Sequence, residues 1–284
     1  MEGMASLAQS LQKIAENLGA NLELPCSEQD CLQMQCDAYN KIPGKLTGYD
    51  CPECMNRGFT AIAKDGDFVL KECRCAPVRR SIQNIERSGL KDLLERCTLE
   101  NYQVEEGWQR IISDAAKRFL RDHDGKWFYI GGQVGAGKTH ICTAIVGELL
   151  KSGLPAKYML WTDEANRLKA NIMDDSFYSQ KMEKLKNVKV LYIDDFFKPV
   201  KERVYMDGKY VSKTKSPSAA EIKIAFELLN NRYGRKDLIT IISSELKVDD
   251  ILSIDEGVGS RIYQRTKEFC MSIPKDAKKN YRLR

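Results

Sequence analysis

The sequence predicts an α/β fold with a five-stranded parallel sheet, preceded by a small cysteine-rich domain. From Trp108 onward, short apolar segments alternate with helix-forming segments, which is typical of a parallel sheet covered by helices on both faces. A glycine-rich loop joins the first of these strands to a helix, and two close pairs of cysteines precede it in the chain. The predicted strands span 127–131, 156–161, 188–193, 238–243 and 269–273.

The composition is that of a soluble globular protein, with 43% hydrophobic and 30% charged residues among 284. No apolar run approaches the roughly 20 residues that a membrane helix requires. The first residues lack the basic start and apolar core of a signal peptide. We therefore expect a cytoplasmic protein with no membrane partner. The net charge of +5 is too small to indicate a nucleic-acid partner by itself.

The chain is expected to form an N-terminal domain over 1–78, a linker helix and connector over 79–107, and a nucleotide-binding domain over 108–284. Apolar residues at helical spacing predict a helix over 5–18. A lysine-rich polar stretch over 198–216 predicts a loop.

Four cysteines form two close pairs, with the spacing of a metal site. They are Cys51, Cys54, Cys73 and Cys75. Between the pairs, Asp65-Gly66 separates two alternating runs, which predicts a β-hairpin that returns the second pair to the first. Four thiolates on two turns predict a closed tetrahedral Zn²⁺ site. An iron–sulfur cluster uses the same ligands and stays open as an alternative.

The other six cysteines have no close partner in sequence, and disulfide frameworks are rare in cytosolic chains. We expect all six to be buried free thiols. They are Cys26, Cys31, Cys36, Cys97, Cys142 and Cys270. The chain has only two histidines, which excludes a multi-histidine metal site.

The glycine-rich loop matches G-x-x-x-x-G-K-[ST] and predicts a site for ATP. Glycines allow backbone N–H groups to approach the phosphates, and the following helix adds partial positive charge at its N-terminus. We expect Lys138 to bind the β- and γ-phosphates and Thr139 to hold Mg²⁺. The predicted nucleotide-binding residues are Gly132, Gln133, Val134, Gly135, Ala136, Gly137, Lys138, Thr139 and His140.

Polar residues end two further strands of the predicted sheet. Asp194 and Asp195 follow the strand over 188–193. Asp194 is predicted to position Mg²⁺, and Asp195 to polarise the attacking water as general base. Ser243, Ser244 and Glu245 lie at the end of the strand over 238–243, and we select Ser244 among them as the residue that senses the γ-phosphate. On the next helix, Arg261 is either a surface arginine or an arginine finger.

Together these residues resemble the AAA+ ATPases of the DnaC/DnaI helicase-loader group, close to the DnaC-like proteins of Firmicutes and their phages. The resemblance covers most of the chain and includes the four-cysteine module and the runs at 132–140, 193–197, 230–233, 241–244, 260–261 and 280–282. It implies a P-loop AAA+ core without a full C-terminal helical lid and its sensor 2 arginine. It also implies a zinc-ribbon-like N-terminal domain that binds the helicase.

The implied activity is that of an ATPase in DNA replication that binds a hexameric replicative DNA helicase and places it on single-stranded DNA. ATP-bound modules would self-associate, with Arg261 as a finger acting in trans and the 243–245 strand end as sensor 1. Glu245 stands where many relatives have Asn. Between the glycine-rich loop and Asp194, six cations and two aromatic residues would line a groove for single-stranded DNA, or form an ordinary solvated face. They are Arg167, Lys169, Phe177, Tyr178, Lys181, Lys184, Lys186 and Lys189.

Three alternatives share part of this pattern. A transposition-regulating ATPase resembling IstB has the same core motifs, but the four-cysteine module argues against it. A stand-alone P-loop kinase would need neither the second acid beside Asp194 nor a trans arginine. A zinc-containing binding module with a vestigial nucleotide site is disfavoured because Lys138, Thr139, Asp194 and Asp195 are all present.

Overall fold

Two units make up the chain, Met1–Ala76 and Pro77–Arg284. The computed structural model describes residues 28–85, 91–206 and 209–283. The helix predicted over 5–18 lies outside these residues. Among the described helices, none is both long and apolar enough to span a membrane.

The first unit consists of a helix and a two-stranded antiparallel hairpin: α1 (Glu28–Lys41), β1 (Phe59–Lys64) and β2 (Asp67–Glu72). The turn residues Asp65 and Gly66 both have positive φ, 52° and 83°, as the predicted two-residue hairpin turn requires. Asn40 fixes α1 to the hairpin, since its side-chain amide donates to the Ala61 carbonyl at 2.9 Å and accepts from the Ala61 N–H at 2.8 Å. The hairpin prediction is confirmed.

The second unit is an α/β domain with a sheet and a separate hairpin. Its helices are α2 (Ala76–Ile85, starting at the boundary), α3 (Lys91–Arg96), α4 (Gly107–Arg121), α5 (Lys138–Lys151), α6 (Trp161–Ala170), α7 (Asp175–Asn187), α8 (Ala219–Tyr233), α9 (Val248–Ile254) and α10 (Glu256–Thr266). Its strands are β3 (Trp127–Gly132), β4 (Ala156–Leu160), β5 (Val190–Asp194), β6 (Val200–Met206), β7 (Lys209–Lys215), β8 (Ile239–Ser243) and β9 (Cys270–Ile273). Two short 3₁₀ turns follow β9, at Ala277–Lys279 and Tyr281–Leu283.

Five strands form a parallel sheet in the order β4-β5-β8-β3-β9, which confirms the predicted fold. Every residue of β3, β5 and β8 is buried, because helices cover both faces of the sheet. Strand β8 lies between β3 and β5. The carboxyl ends of these three strands therefore bring the glycine-rich loop, the two acids and the serines to one edge of the sheet.

The stretch over 198–216 contains an antiparallel hairpin, β6–β7, so the prediction of a loop is wrong. The pairing runs from Val200 opposite Lys215 to Met206 opposite Lys209. Its sequence lacks the alternation of apolar and polar residues that marks a half-buried strand, because twelve of its fourteen ladder positions are exposed. Asp207-Gly208 between the two runs is a hairpin signal that the lysine content obscured.

Cys31 forms a disulfide, so the expectation of six free thiols is wrong for this residue. Among the described cysteines outside the four-cysteine module, Cys36 and Cys142 are buried free thiols. Cys97 and Cys270 are free and half-buried.

The fully buried Arg232 joins α8 to the sheet. Its guanidinium donates to Thr240 Oγ1 at 2.9 Å and to the carbonyl oxygens of Val188 and Ile239 at 2.9 and 2.6 Å. It also reaches the Leu185 carbonyl at 3.0 Å, at the end of α7. Burial lowers the pKa of this arginine to about 9. One side chain thus satisfies carbonyls at the entry to β5 and β8.

We expect Arg232→Met to destabilise the second unit by about 3 kcal/mol or more, because several buried carbonyls would lose their donor. Denaturant unfolding followed by the fluorescence of the buried Trp127 and Trp161 measures the change. Arg235→Met is the matched control, since Arg235 lies one turn later and pairs at the surface with Asp237. Equal unfolding midpoints for the two variants would contradict this role.

Candidate nucleotide and metal sites

The glycine-rich loop has a backbone that only glycine accommodates at two points. Gly132 has φ 108°, and a Cβ atom there would lie 2.0 Å from the Ile273 carbonyl oxygen. Gly135 has φ 71°, and its Cβ would lie 1.9 Å from the Asn280 side-chain oxygen. The left-handed region disfavours other residues at both positions. The loop is therefore seated directly against the segment that follows β9.

Lys138 begins α5 and is 7% exposed. Its ammonium donates to the carbonyl oxygens of Gly132 and Gln133 at 2.9 and 2.6 Å. Burial lowers the pKa of Lys138, while the nearby carboxylates of Glu245 and Asp195 act in the opposite direction. The charge is thus held inside the loop, beside acidic groups at the same edge of the sheet.

Asp194 collects hydroxyl groups from three different segments. Thr139 Oγ1 donates to Asp194 Oδ1 at 3.3 Å, and the Tyr158 hydroxyl donates to Oδ2 at 3.3 Å. Ser243 Oγ also donates to Oδ1. A carboxylate and hydroxyls are the oxygen ligands that Mg²⁺ prefers, so this group of residues fits that ion. Sequence analysis missed Tyr158, which lies on the neighbouring strand β4.

Asp195 is held in an ion pair. It has φ 53°, and its Oδ2 accepts from Lys198 Nζ at 2.7 Å. Glu245 Oε1 lies 3.9 Å from the same ammonium. The hydrogen bond to Asp195 raises the pKa of Lys198. The predicted general base is therefore neutralised by a lysine that the sequence analysis did not select.

The two serines at the end of β8 point to different partners. Ser244 Oγ donates to the Phe196 carbonyl at 2.7 Å and accepts from the Leu246 N–H at 3.0 Å, and its residue is fully buried. Ser243, by contrast, contacts Asp194. Ser244, the residue selected from the sequence, thus has its hydroxyl committed to the backbone, whereas Ser243 and Glu245 lie toward the acids and the loop.

A cavity of about 400 Å³ opens over the glycine-rich loop. At one end of it, the rings of Tyr102 and His140 meet edge-to-face with centroids 5.4 Å apart, and His140 Nε2 lies 3.0 Å from the Thr98 carbonyl. Its lining residues come from the connector, the loop, the strand ends and the C-terminal segment: Asn101, Tyr102, Gln103, Gln109, Val134, Gly135, Ala136, Gly137, Lys138, Thr139, His140, Asp195, Lys198, Glu245, Tyr281 and Arg282.

The segment after β9 contributes to this cavity. The Tyr281 N–H donates to the Gly135 carbonyl at 3.0 Å, and Gln109 donates to the Tyr281 hydroxyl at 2.5 Å. Arg282 lines the cavity. Arg282 was not among the site residues predicted from the sequence.

Arg261 lies outside the lining of its own cavity. Its guanidinium donates to Asn230 Oδ1 at 2.9 Å and to the Gly257 carbonyl at 2.7 Å, and it packs over the Phe226 ring at 4.5 Å. These contacts present a half-exposed arginine on the surface formed by α8 and α10.

Most of the cations predicted to line a DNA groove are paired within the domain. Arg167 and Lys181 both approach Glu164, at 3.6 and 3.0 Å. The other pairs are Lys169 with Glu221 at 3.5 Å and Lys186 with Glu227 at 2.8 Å. The Tyr178 hydroxyl donates to Glu227 at 2.7 Å. This face of α6 and α7 therefore has the character of an ion-paired helix surface.

The four cysteines of the first unit converge. Their Sγ atoms all lie within 4.8 Å of one another, and all four residues are buried. Cys51 and Cys73 are 3.8 Å apart, and Cys54 and Cys75 are 3.7 Å apart. A tetrahedral ion with Zn–S bonds of about 2.3 Å requires sulfur separations of about 3.8 Å. Burial raises the pKa of the Cys54 thiol. Hydrogen bonds, of which the one donated by the Gly58 N–H has the largest effect, outweigh burial and lower this pKa to about 7.

The sequence is similar to those of several known proteins. The chain is 28% identical to the phage-like element PBSX protein XkdC of Bacillus subtilis, over 79% of this chain and 82% of that protein. It is 31% identical to the replicative helicase loader DnaC of Escherichia coli, over 44% of this chain and 51% of that protein. This chain is similar in sequence to the DnaC helicase loaders. No protein-family model matches it.

The resemblance to the loader group is thereby confirmed, and a solved structure agrees on the fold. The match to the crystal structure of DnaI covers 65% of this chain and 93% of DnaI, with 21% identity and a TM-score of 0.50. The core is an AAA+ P-loop fold, and the four-cysteine module fits a zinc-ribbon-like domain. The match to DnaC spans only about half the length of either protein.

Proposed function

We propose that this protein is an ATP-dependent loader that places a hexameric replicative DNA helicase on single-stranded DNA, with ATP binding and hydrolysis as the switch. The observation that carries the proposal is the contact of Thr139 with Asp194 beside a complete glycine-rich loop, in a chain similar in sequence to DnaC. This arrangement supplies both the phosphate cradle and the oxygen ligands of a magnesium nucleotide site.

ATP would lie in the cavity with its phosphates over the loop. Lys138 would release the loop carbonyls and donate to the β- and γ-phosphates, while Thr139 and Asp194 hold Mg²⁺. The ion would neutralise phosphate charge. The aromatic end formed by Tyr102 and His140 suits a planar base. Arg282 is a cation of the same subunit at the cavity wall.

Hydrolysis would require Asp195 to accept a proton from the attacking water. Its Oδ2 is paired with Lys198, so this ion pair must open before the carboxylate can act as a base. We assign the sensing position to Ser243 and Glu245 rather than Ser244, since the Ser244 hydroxyl is committed to the backbone.

Self-association would bring Arg261 to the nucleotide of a neighbouring subunit. The arginine is half-exposed, is positioned by Asn230 and lies outside its own cavity, all of which a finger acting in trans requires.

We expect Arg261→Ala to lower ATP hydrolysis at least 100-fold in assemblies while leaving the ATP affinity of monomers within about twofold, because a finger acts on transition-state charge. Lys267→Ala, an exposed cation just after α10, is the control. Mixing Arg261→Ala subunits with Lys138→Ala subunits should restore hydrolysis, since the second variant supplies the missing arginine. Failure of complementation, or equal turnover by isolated monomers, would contradict the trans role.

The first unit would bind the helicase, as a zinc-holding domain over 1–78 joined through 79–107 to the ATPase domain over 108–284. The sulfur geometry supports a single ion, because atoms within 4.8 Å of one another leave no room for a multi-iron cluster.

Co-purification with the replicative hexamer, with and without ATP, tests the loader function. The full chain should retain the hexamer in both conditions and self-associate on it only with ATP. Lys138→Ala should retain the hexamer but lose the ATP-dependent step. A protein that never retains the hexamer would overturn the proposal.

A further inference from the structure

The hairpin β6–β7 is an exposed element that the nucleotide site does not use. It connects the acid-ended strand β5 to α8 and pairs only within itself among the described strands. Except for Val204 and Val211, all of its described residues are exposed. A surface ribbon of this kind buries little and so contributes little to the core.

The register of the hairpin places its residues on two chemically different faces, because side chains alternate along each strand. One face carries two cations, two tyrosines and two hydroxyl residues, with no carboxylate among the described residues. We call it the aromatic face: Lys201, Arg203, Tyr205, Tyr210, Ser212 and Thr214. The opposite face is apolar at Val204 and Val211 and includes Glu202, Lys209, Lys213 and Lys215.

Tyr205 and Tyr210 stand directly opposite each other near the tip. Their ring centroids are 5.1 Å apart with an interplanar angle of 63°, and the two residues are 63% and 73% exposed. Exposed rings at a cross-strand pair leave wide π-faces in contact with water. Such faces are the surfaces on which unpaired bases stack.

The cations of the aromatic face are available to a ligand. Lys201 and Arg203 are exposed, and neither forms an ion pair with any other residue in the described part of the chain. In this they differ from Arg167 and Lys181, whose charges are compensated by Glu164. Arg203 and Tyr205 are two positions apart, about 6.6 Å along the strand, so a phosphate and an adjacent base can be contacted together.

We propose that the aromatic face of the hairpin binds single-stranded nucleic acid, with phosphates at Lys201 and Arg203 and bases stacked on Tyr205 and Tyr210. Charge complementarity selects this occupant, since the face has a positive charge and no carboxylate among its described residues. A duplex keeps its base faces covered, so the tyrosines select unpaired strands. The inference rests on the proposed loader function for its context, but the binding requires neither ATP nor helicase.

The test is fluorescence anisotropy with the full-length protein and a labelled 30-residue oligothymidylate, without nucleotide and without helicase. Replacing both Tyr205 and Tyr210 with alanine should weaken binding at least tenfold, because each stacked base loses its partner. Replacing both with phenylalanine should leave affinity within about twofold. Lys201→Gln with Arg203→Gln should lower the salt slope of log K by about 1.4, two contacts at about 0.7 each.

Lys213→Gln with Lys215→Gln is the matched control, since it removes the same charge from the opposite face and should leave the salt slope unchanged. Unaltered melting temperatures and ATP affinity show that the variants are folded. Absence of binding by the unaltered protein, or equal affinity after both tyrosines are removed, would overturn the proposal. The proposal would also be overturned if the variant lacking both tyrosines lost helicase retention but kept its DNA affinity, because the aromatic face would then be a protein contact. Lys138→Ala should still bind the oligonucleotide, so a failed loader function and a failed hairpin site give different results.

Discussion

Replacing Lys138 with alanine should reduce ATP affinity at least 100-fold, about 2.7 kcal/mol, while leaving both units folded. The lysine is 7% exposed and donates two hydrogen bonds inside the loop, so its ammonium is already in place for phosphate oxygens. Charge-assisted hydrogen bonds of this kind contribute about 1.5–3 kcal/mol each. Calorimetric titration with ATP and Mg²⁺ measures the change.

Lys151→Ala is the matched control, because Lys151 ends the same helix and pairs at the surface with Glu148. This variant should bind ATP as the unaltered protein does. If Lys138→Ala bound ATP as tightly as the unaltered protein does, the triphosphate would have to bind elsewhere, and the proposed switch would lose its basis.

The same substitution gives a second readout in thermal stability. A ligand at 100 times its Kd stabilises the protein that binds it by about 2.7 kcal/mol. Magnesium ATP should therefore raise the melting temperature of the second unit in the unaltered protein and in Lys151→Ala, and leave that of Lys138→Ala unchanged.

The parts of the site that sequence analysis located are those fixed by local chain geometry. A strand, a glycine-rich loop and a helix follow one another without interruption, so the cradle at 132–139 could be located without knowledge of the fold. The four cysteines were located for a similar reason, since Asp65-Gly66 dictates a turn that brings the two pairs together.

The choice between Ser243 and Ser244 depends on which face of the strand each residue occupies. Successive residues along a strand point to opposite faces of the sheet. Because β8 is buried on both faces, its sequence does not show which residues point to which face. Ser243 therefore meets Asp194, whereas Ser244 meets the backbone at Phe196. The choice between them required the register of β8 against β5.

The residues that sequence analysis missed come from distant segments. Tyr102, Tyr158, Lys198 and Arg282 approach the loop or its acids from the connector, a neighbouring strand, the segment after β5 and the C-terminal segment. None of them has a fixed spacing to the glycine-rich loop, and only the packing of the sheet brings them to the site.

Removing the metal from the four-cysteine site is expected to unfold the first unit and leave the second unit folded. In the described part of the first unit, Cys51, Cys54, Cys73 and Cys75 form a hydrophobic cluster, with Tyr49 packed against it. A small unit whose described cluster consists of the metal ligands themselves depends on the metal, whose apparent binding free energy at structural sites is about 10–16 kcal/mol. Metal analysis should find one zinc per chain.

Cys54→Ser should reproduce the effect of chelation, since it removes one ligand from a closed site. Cys36→Ser is the matched control, because Cys36 is equally buried in α1 but lies outside the cluster. Loss of the first unit's NMR dispersion in Cys54→Ser, with retention in Cys36→Ser, would separate metal binding from the general loss of a buried thiol.

The two units give this experiment an internal reference. Chelation should abolish retention of the helicase hexamer while ATP affinity stays unchanged, because the cavity is built entirely from residues after Ala76. If ATP affinity fell together with helicase retention, the metal would be stabilising the whole chain. If helicase retention survived chelation, or the bound metal were iron, the zinc-dependent docking role would be wrong.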